Sequence, residues 1–246
     1  MKRGKSTSMA LLAGLVYSLL AGAAALAEQR ALDPHRLQLQ STNAVVFDAR
    51  TGQILYAKNA EATAPIASIT KLMTAMVVLD GKLPMDEMLT ISKEDVDRLK
   101  GTYSRLQIGT RQSRKEMLRL ALMSSENRAA SALGRHYPGG RAAFIAQMNR
   151  KAAALRMSHT HFDDTTGLSS RNLSSAGDLV KMTQAASQYA LIREFTTTPE
   201  RTVSFPQPRY SLGFVGVSGL APLDVPGPRV PLAVGVHEAG RIARRR

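Results

Sequence analysis

Apolar positions recur along this chain with two different periods. Asn43-Ala44-Val45-Val46-Phe47-Asp48 and Gln53-Ile54-Leu55-Tyr56-Ala57 are β-rich runs either side of Ala49-Arg50-Thr51-Gly52, which predicts a hairpin. A polar loop follows over 58–63. Behind Pro65, a favoured first-turn residue, Ile69, Leu72, Met73 and Met76 fall at helical spacing. Residues 72–79 are apolar on more than one face, so this helix is expected to be buried. Asp80-Gly81-Lys82-Leu83-Pro84 reads as its stop, with Gly81 as C-cap.

The pattern continues with a short extended piece at Thr90-Ile91-Ser92 and a helix start at Ser92-Lys93-Glu94-Asp95. Residues 101–109 read as loop. Met117, Leu118, Leu120, Ala121 and Leu122 predict one helix over 114–136. On it Arg114, Lys115 and Arg119, with Arg111 just before, read as a solvated basic face. A second helix is expected over 141–155, a loop over 163–173, and a third helix from Ser175 to about Ala190, with Ile192 to Phe195 as its extension. Thr202-Val203-Ser204-Phe205 reads as a strand. Beyond Tyr210 the chain turns Gly-, Val- and Pro-rich, and Pro222, Pro226, Pro228 and Pro231 disfavour central strands there.

The first residues change this picture. Lys2, Arg3 and Lys5 precede an apolar run from Met9 to Ala21, and Ala25-Leu26-Ala27 stands before Glu28. That is the pattern of a secretory signal peptide over 1–27, with an uncleaved anchor as the alternative, so one exported, periplasmic domain is expected over 28–246. The chain has no Cys, which removes disulfides and thiolate chemistry and leaves the fold to its hydrophobic core. The formal net charge is +14. For an exported chain such a balance fits either basic residues that solubilise the surface or weak contact with anionic envelope surfaces, and does not point to nucleic acid. With no Trp and 5% aromatic residues there is no stacking platform for bases.

Two polar constellations carry candidate chemistry. Ser68 and Lys71 lie three apart on the first predicted helix, hence on one face, as a Ser nucleophile and a Lys general base require. The amine must be desolvated, or placed near another cation, to lose its proton near neutrality. A capping Ser and a surface Lys would give the same four letters. Within 114–136, Met123-Ser124-Ser125-Glu126-Asn127 interrupts the apolar pattern. Such an interruption fits either an exposed helix face or a break lining a cleft. In the second case Ser125 is placed to relay a proton beside Lys71, and Asn127 to hydrogen-bond Lys71 and a substrate amide. His159, His161 and Asp163 lack further ligands in sequence reach for a metal site.

Taken together, Ser68-Ile69-Thr70-Lys71, Ser125-Glu126-Asn127, the loop Phe162-Asp163-Asp164-Thr165-Thr166-Gly167-Leu168 and Asn172-Leu173-Ser174-Ser175-Ala176-Gly177-Asp178-Leu179 resemble low-molecular-mass penicillin-binding proteins. More narrowly they resemble D-alanyl-D-alanine endopeptidases of the penicillin-binding protein 7 type. The resemblance implies a mixed α/β, β-lactamase/DD-peptidase-like fold: an antiparallel sheet from both chain ends, flanked by helices, with a helical subdomain holding the S-x-N box. It implies a serine peptidase in which Ser68 attacks, Lys71 accepts the proton, Ser125 relays it and Asn127 binds substrate. The implied partners are peptidoglycan stem peptides and cross-links, with β-lactams as acylating inhibitors, and no metal or organic cofactor. The loop over 162–173 offers Asp163 and Asp164 but no Glu, which favours a peptidase over a class A β-lactamase.

The resemblance breaks over about 211–236. The family's third box, K-T-G, occurs nowhere in the chain, and by spacing from His237-Glu238-Ala239-Gly240-Arg241 its place is taken by Leu232-Ala233-Val234. The missing Lys is a carboxylate anchor worth roughly 1.5–3 kcal/mol. Two readings therefore stand: an active DD-peptidase, and a silent relative that only binds cell-wall peptide.

Overall fold

In the computed structural model the described residues are 39–203, 210–213 and 232–236. The expected signal peptide lies outside them. The expected hairpin forms: β1 (Asn43–Phe47) pairs antiparallel with β2 (Ile54–Lys58). Its turn is closed by Asp48, whose Oδ1 accepts the Arg50 and Thr51 amides. β3 (Thr63–Pro65) follows, a strand with no periodic signal of its own. It exists because it pairs with β6 (Leu173–Ser175) from the far half of the chain. Pro65 thus ends a strand, and the helix starts after it.

A 3-10 turn, Ala67–Ile69, runs directly into α1 (Thr70–Asp80). Every residue from Thr70 to Val78 is buried, as expected for a helix apolar on several faces. Its C-cap is Gly81, but the left-handed residue is Lys82, at φ 48°. Gly81 is in ordinary helical conformation, and a Cβ there would meet the Tyr137 ring at 3.2 Å. The constraint is packing and not backbone shape.

β4 (Met88–Thr90) pairs with β5 (Arg111–Ser113). Between them Ser92 and Asp95 form a reciprocal capping box around a single 3-10 turn, Lys93–Asp95, which Val96 ends in extended conformation. The region expected as one helix over 114–136 is two, α2 (Arg114–Met123) and α3 (Asn127–Arg135). α4 (Gly140–Ala154) matches its prediction. α5 (Ala176–Ala186) is N-capped by Ser175, where its start is expected, but α6 (Ala190–Thr197) is a separate helix and not its extension. Among the described residues the five other helices all pack on α1.

The basic face expected on α2 is solvated only at Lys115 and, just before the helix, Arg111, while Arg114 and Arg119 are buried. Arg114 is 1% exposed, donating to the Pro84 carbonyl and paired with Glu87. Arg119 is buried over the Phe195 ring, 4.1 Å from its centroid, beside Glu116 and Glu194. Both guanidiniums lock α2 to neighbouring elements through partners that are distant in sequence or one helical turn away.

Near the end of the chain β7 (Glu200–Val203) pairs with β8 (Tyr210–Gly213). β9 (Leu232–Val236) runs antiparallel to β1, with Leu232 opposite Phe47 and Val236 opposite Asn43. The sheet order is therefore β2-β1-β9, built from both ends of the chain. The segment expected in place of K-T-G is a strand. α5 packs against β1 and β9. Among the described residues no helix is long and apolar enough to cross a membrane.

Candidate active site

The chain reaches Ser68 through a tight bend. Ile66 donates its amide to the Asn172 carbonyl, and Ala67 then adopts φ 45°. That left-handed conformation costs a non-glycine residue about 1–3 kcal/mol. It persists because the surroundings over-determine it. Gly167, at φ 87°, lies so close that a Cβ on it would sit 1.8 Å from the Ala67 carbonyl oxygen and 2.9 Å from the Ser68 nitrogen. Only glycine fits.

One helical turn on, the Lys71 Nζ lies 3.0 Å from Ser68 Oγ. It is also 2.8 Å from Asn127 Oδ1 and 2.7 Å from the Thr166 carbonyl. Lys71 is 2% exposed. Burial pushes its pKa down, the charges of Asp164 and Glu126 oppose this, and the result is about 8. As an ammonium it donates to all three partners. As a neutral amine it has two N–H bonds and one lone pair. The Thr166 carbonyl and Asn127 Oδ1 can only accept, so they take the two N–H bonds. The lone pair is left facing the Ser68 hydroxyl, the arrangement in which a base removes a proton from a nucleophile.

Two further loops frame this group. In the first, Asp164 accepts the amides of Thr166, Gly167 and Ser169, and Asn172 ties the loop to α1 through Thr70 Oγ1 at 2.9 Å. Thr74 Oγ1 donates to the Thr165 carbonyl at 2.7 Å. Thr70, Lys71 and Thr74 are thus three successive hydrogen bonds between α1 and this loop. In the second, Ser125 takes the left-handed conformation, φ 53°, between α2 and α3. The Leu120 carbonyl accepts both the Ser124 and Glu126 amides, which ends α2, and Glu126 caps α3 by accepting the Arg128 amide. The break brings Asn127, first residue of α3, to Lys71.

The structure therefore brings together Ser68, Lys71 and Asn127. Ser125 stands at the helix break beside Asn127 but is not one of the three partners of Lys71. Sequence reasoning missed the Thr166 carbonyl, because a backbone acceptor has no letter of its own. It also gave no role to Asn172, which is fully buried and holds the loop that presents that carbonyl. His159 pairs with Glu61 at 3.1 Å, away from any cluster of possible metal ligands among the described residues. A cleft of about 400 Å³ adjoins the site, walled by Asp97, Leu99, Asn127, Thr166 and Leu168 among others. It touches two partners of Lys71 but not Ser68.

The chain is similar to known proteins. A D-alanyl-D-alanine endopeptidase of Pseudomonas aeruginosa is 51% identical over 181 residues, 74% of this chain and 58% of that protein. A D-alanyl-D-alanine endopeptidase of Escherichia coli is 44% identical over 217 residues, 88% of this chain and 69% of its own. The chain thus spans somewhat over half of the first relative and about two thirds of the second. Penicillin-binding protein D2 from Listeria monocytogenes, solved in a cefotaxime-bound form, superposes with a TM-score of 0.63 at 28% identity, covering 73% of this chain and 74% of the other. The mixed α/β fold is that of these enzymes. The family model described as D-alanyl-D-alanine carboxypeptidase matches residues 27–221, and the chain belongs to that family.

Proposed function

We propose that this protein is an exported serine DD-peptidase that cleaves peptidoglycan peptides through an acyl-enzyme on Ser68. The observation that carries the reading is the Lys71 Nζ within hydrogen-bond distance of Ser68 Oγ and of two obligate acceptors, which in the neutral amine take both N–H bonds and leave the lone pair for the hydroxyl. Ser68 Oγ attacks the carbonyl carbon on the N-terminal side of the scissile bond as its proton passes to Lys71. The C–N bond breaks, and the proton moves through Ser125 to the leaving amine. Water then repeats the sequence in reverse on the ester, with Lys71 again as base, and frees Ser68. Asn127 holds the substrate amide and Lys71 at once. The substrates are stem peptides and cross-links of the wall, by likeness to the D-alanyl-D-alanine endopeptidases. β-Lactams acylate the same hydroxyl.

A second reading rests on one observation. No Lys-Thr-Gly exists in the chain, and the strand expected to carry it begins with Leu232. Without that cation the chain would bind cell-wall peptide and not cleave it. Fluorescent penicillin separates the two readings. The active enzyme takes a covalent label that Ser68→Ala abolishes. Folded wild type that takes no label establishes the silent binder.

A further inference from the structure

The Lys71 geometry works only if Asn127 presents its oxygen, and not its nitrogen, to the amine. The two ends of a side-chain amide have the same shape, so something must choose between them. The Asn127 Nδ2 donates to Thr102 Oγ1 at 3.0 Å, and Thr102 Oγ1 in turn donates to Asp97 Oδ2 at 2.7 Å. We infer that Thr102, held by Asp97, is a positioning residue that fixes the Asn127 amide with its oxygen toward Lys71. This inference rests on the serine peptidase reading for its meaning in catalysis, but the hydrogen-bond chain stands by itself.

The direction of the chain follows from its far end. A carboxylate accepts and never donates. Burial alone would raise the Asp97 pKa, but hydrogen bonds from the amides of Lys100, Thr102 and Leu99 and from the Thr102 hydroxyl outweigh it and hold it at about 2. Asp97 is therefore charged at any working pH. The single Thr102 hydroxyl proton is committed to it, and only a lone pair of Oγ1 remains for Asn127. That lone pair accepts from the Asn127 amide nitrogen, so the amide oxygen faces Lys71. Were the amide turned over, its oxygen would meet a hydroxyl with no proton to give. Its N–H would point at the Lys71 lone pair and occupy it.

The loop carrying Asp97 and Thr102 is set against the helix break by two other contacts. Ser104 Oγ donates to Glu126 Oε1 at 2.7 Å, and Arg128 Nη1 donates to the Leu106 carbonyl at 2.6 Å. Thr102 itself is exposed, so its hydroxyl is dispensable for the core.

The test compares Thr102→Val, which keeps the shape and removes the hydroxyl, with Thr102→Ser, which keeps the hydroxyl. The rate of acylation by fluorescent penicillin is measured against pH in the full chain, and the Lys71 pKa is read by NMR on 13C-labelled lysine. For Thr102→Val the high-pH plateau falls roughly tenfold. Raising the pH does not restore it, because the lone pair and not the protonation state has been lost. The Lys71 pKa moves down, since the ammonium loses an acceptor while Asp164 and Glu126 keep their charges. Thr102→Ser stays within about twofold of wild type, and Thr102→Val adds no further loss in an Asn127→Ala background. A plateau unchanged in Thr102→Val, equal losses in both variants, or losses that multiply with Asn127→Ala would overturn the inference. If wild type takes no label, the peptidase reading fails and the Lys71 pKa still decides: a lower value in Thr102→Val upholds the chain, and an unchanged one refutes it.

Discussion

Two loops hold Lys71 in place, and they are built on opposite principles. The loop over 163–172 is part of the core. Thr165, Thr166 and Asn172 are buried, Asp164 gathers the surrounding amides, and the Thr166 carbonyl touches Lys71 directly. The loop over 97–109 lies largely on the surface and sends one side chain, Leu106, into the core. Tyr103 is 85% exposed, Leu99 and Ile108 are also exposed, and its Thr102 reaches Lys71 only through Asn127. The first delivers an acceptor to the amine itself, and the second holds the far end of the acceptor that α3 delivers, Asn127. The difference teaches that position and orientation are supplied separately. The buried loop places the amine, and damage to it should strike folding and reactivity together. The exposed loop sets the sense of one amide, and damage to it should strike reactivity alone.

The strongest way to break this contrast is Gly167→Ala. A methyl group there meets backbone and not a flexible side chain, at a φ that L residues avoid. The expected cost is above about 4 kcal/mol, in the range reserved for severe steric conflict. Thermal unfolding and penicillin labelling should collapse together. A variant that melts like wild type would mean that the loop does not bear on Ala67 at all. Asn172→Ala comes next. It removes the donor to Thr70 Oγ1 and the acceptor of the Asp163 and Asp164 amides, all within a buried site. A loss of about 2–4 kcal/mol follows from leaving such groups unpaired. Retained stability with lost labelling would put this loop in the same class as the exposed one.

How much of this was legible beforehand depends on where each cause lies. The β1–β2 hairpin and α1 were readable, because alternation and helical spacing are local. The three-residue strands β3 and β6 were not, because they exist only through each other. The split of 114–136 was half readable. Ser124, Ser125 and Glu126 broke the apolar pattern, but an exposed face and a true break look alike until the Leu120 carbonyl is seen accepting twice. Arg114 and Arg119 misled, because a charge reads as solvated when its partner is not visible in the sequence. That Ser68, Lys71 and Asn127 would come together was readable from spacing and resemblance. The Thr166 carbonyl and the Thr102 hydroxyl were not, one being backbone and the other lying in a loop without pattern.

A sharper test of the buried loop's contribution is the pH dependence of wild-type acylation. As the proposed general base Lys71 acts only as the neutral amine, and burial brings its pKa down to about 8. The rate should therefore rise about tenfold per pH unit below that value and level off above it, with roughly a tenth of the plateau rate left at pH 7. The sign is that of a base whose protonated form is inactive. A limb near the ordinary lysine range would mean that burial by the 163–172 loop does not desolvate the amine.

The smallest expected effect separates charge from geometry at the junction of the two loops. Glu126 caps α3, accepts from Ser104 and raises the Lys71 pKa through its charge. In Glu126→Gln the amide oxygen can still accept from the Arg128 amide and the Ser104 hydroxyl, so the turn should keep its shape. Only the negative charge disappears. The Lys71 pKa then falls, the acidic limb moves to lower pH, and acylation at pH 7 rises. The rise should be no more than about threefold, because a half-exposed carboxylate acts through a high effective dielectric. The plateau should not change, since the lone pair still faces Ser68. That outcome is the opposite of the one expected for Thr102→Val, where the pKa also falls but the plateau falls with it. If Glu126→Gln lowered the plateau instead, Glu126 would be part of the device that orients Asn127, and the exposed loop would reach the amine by two routes.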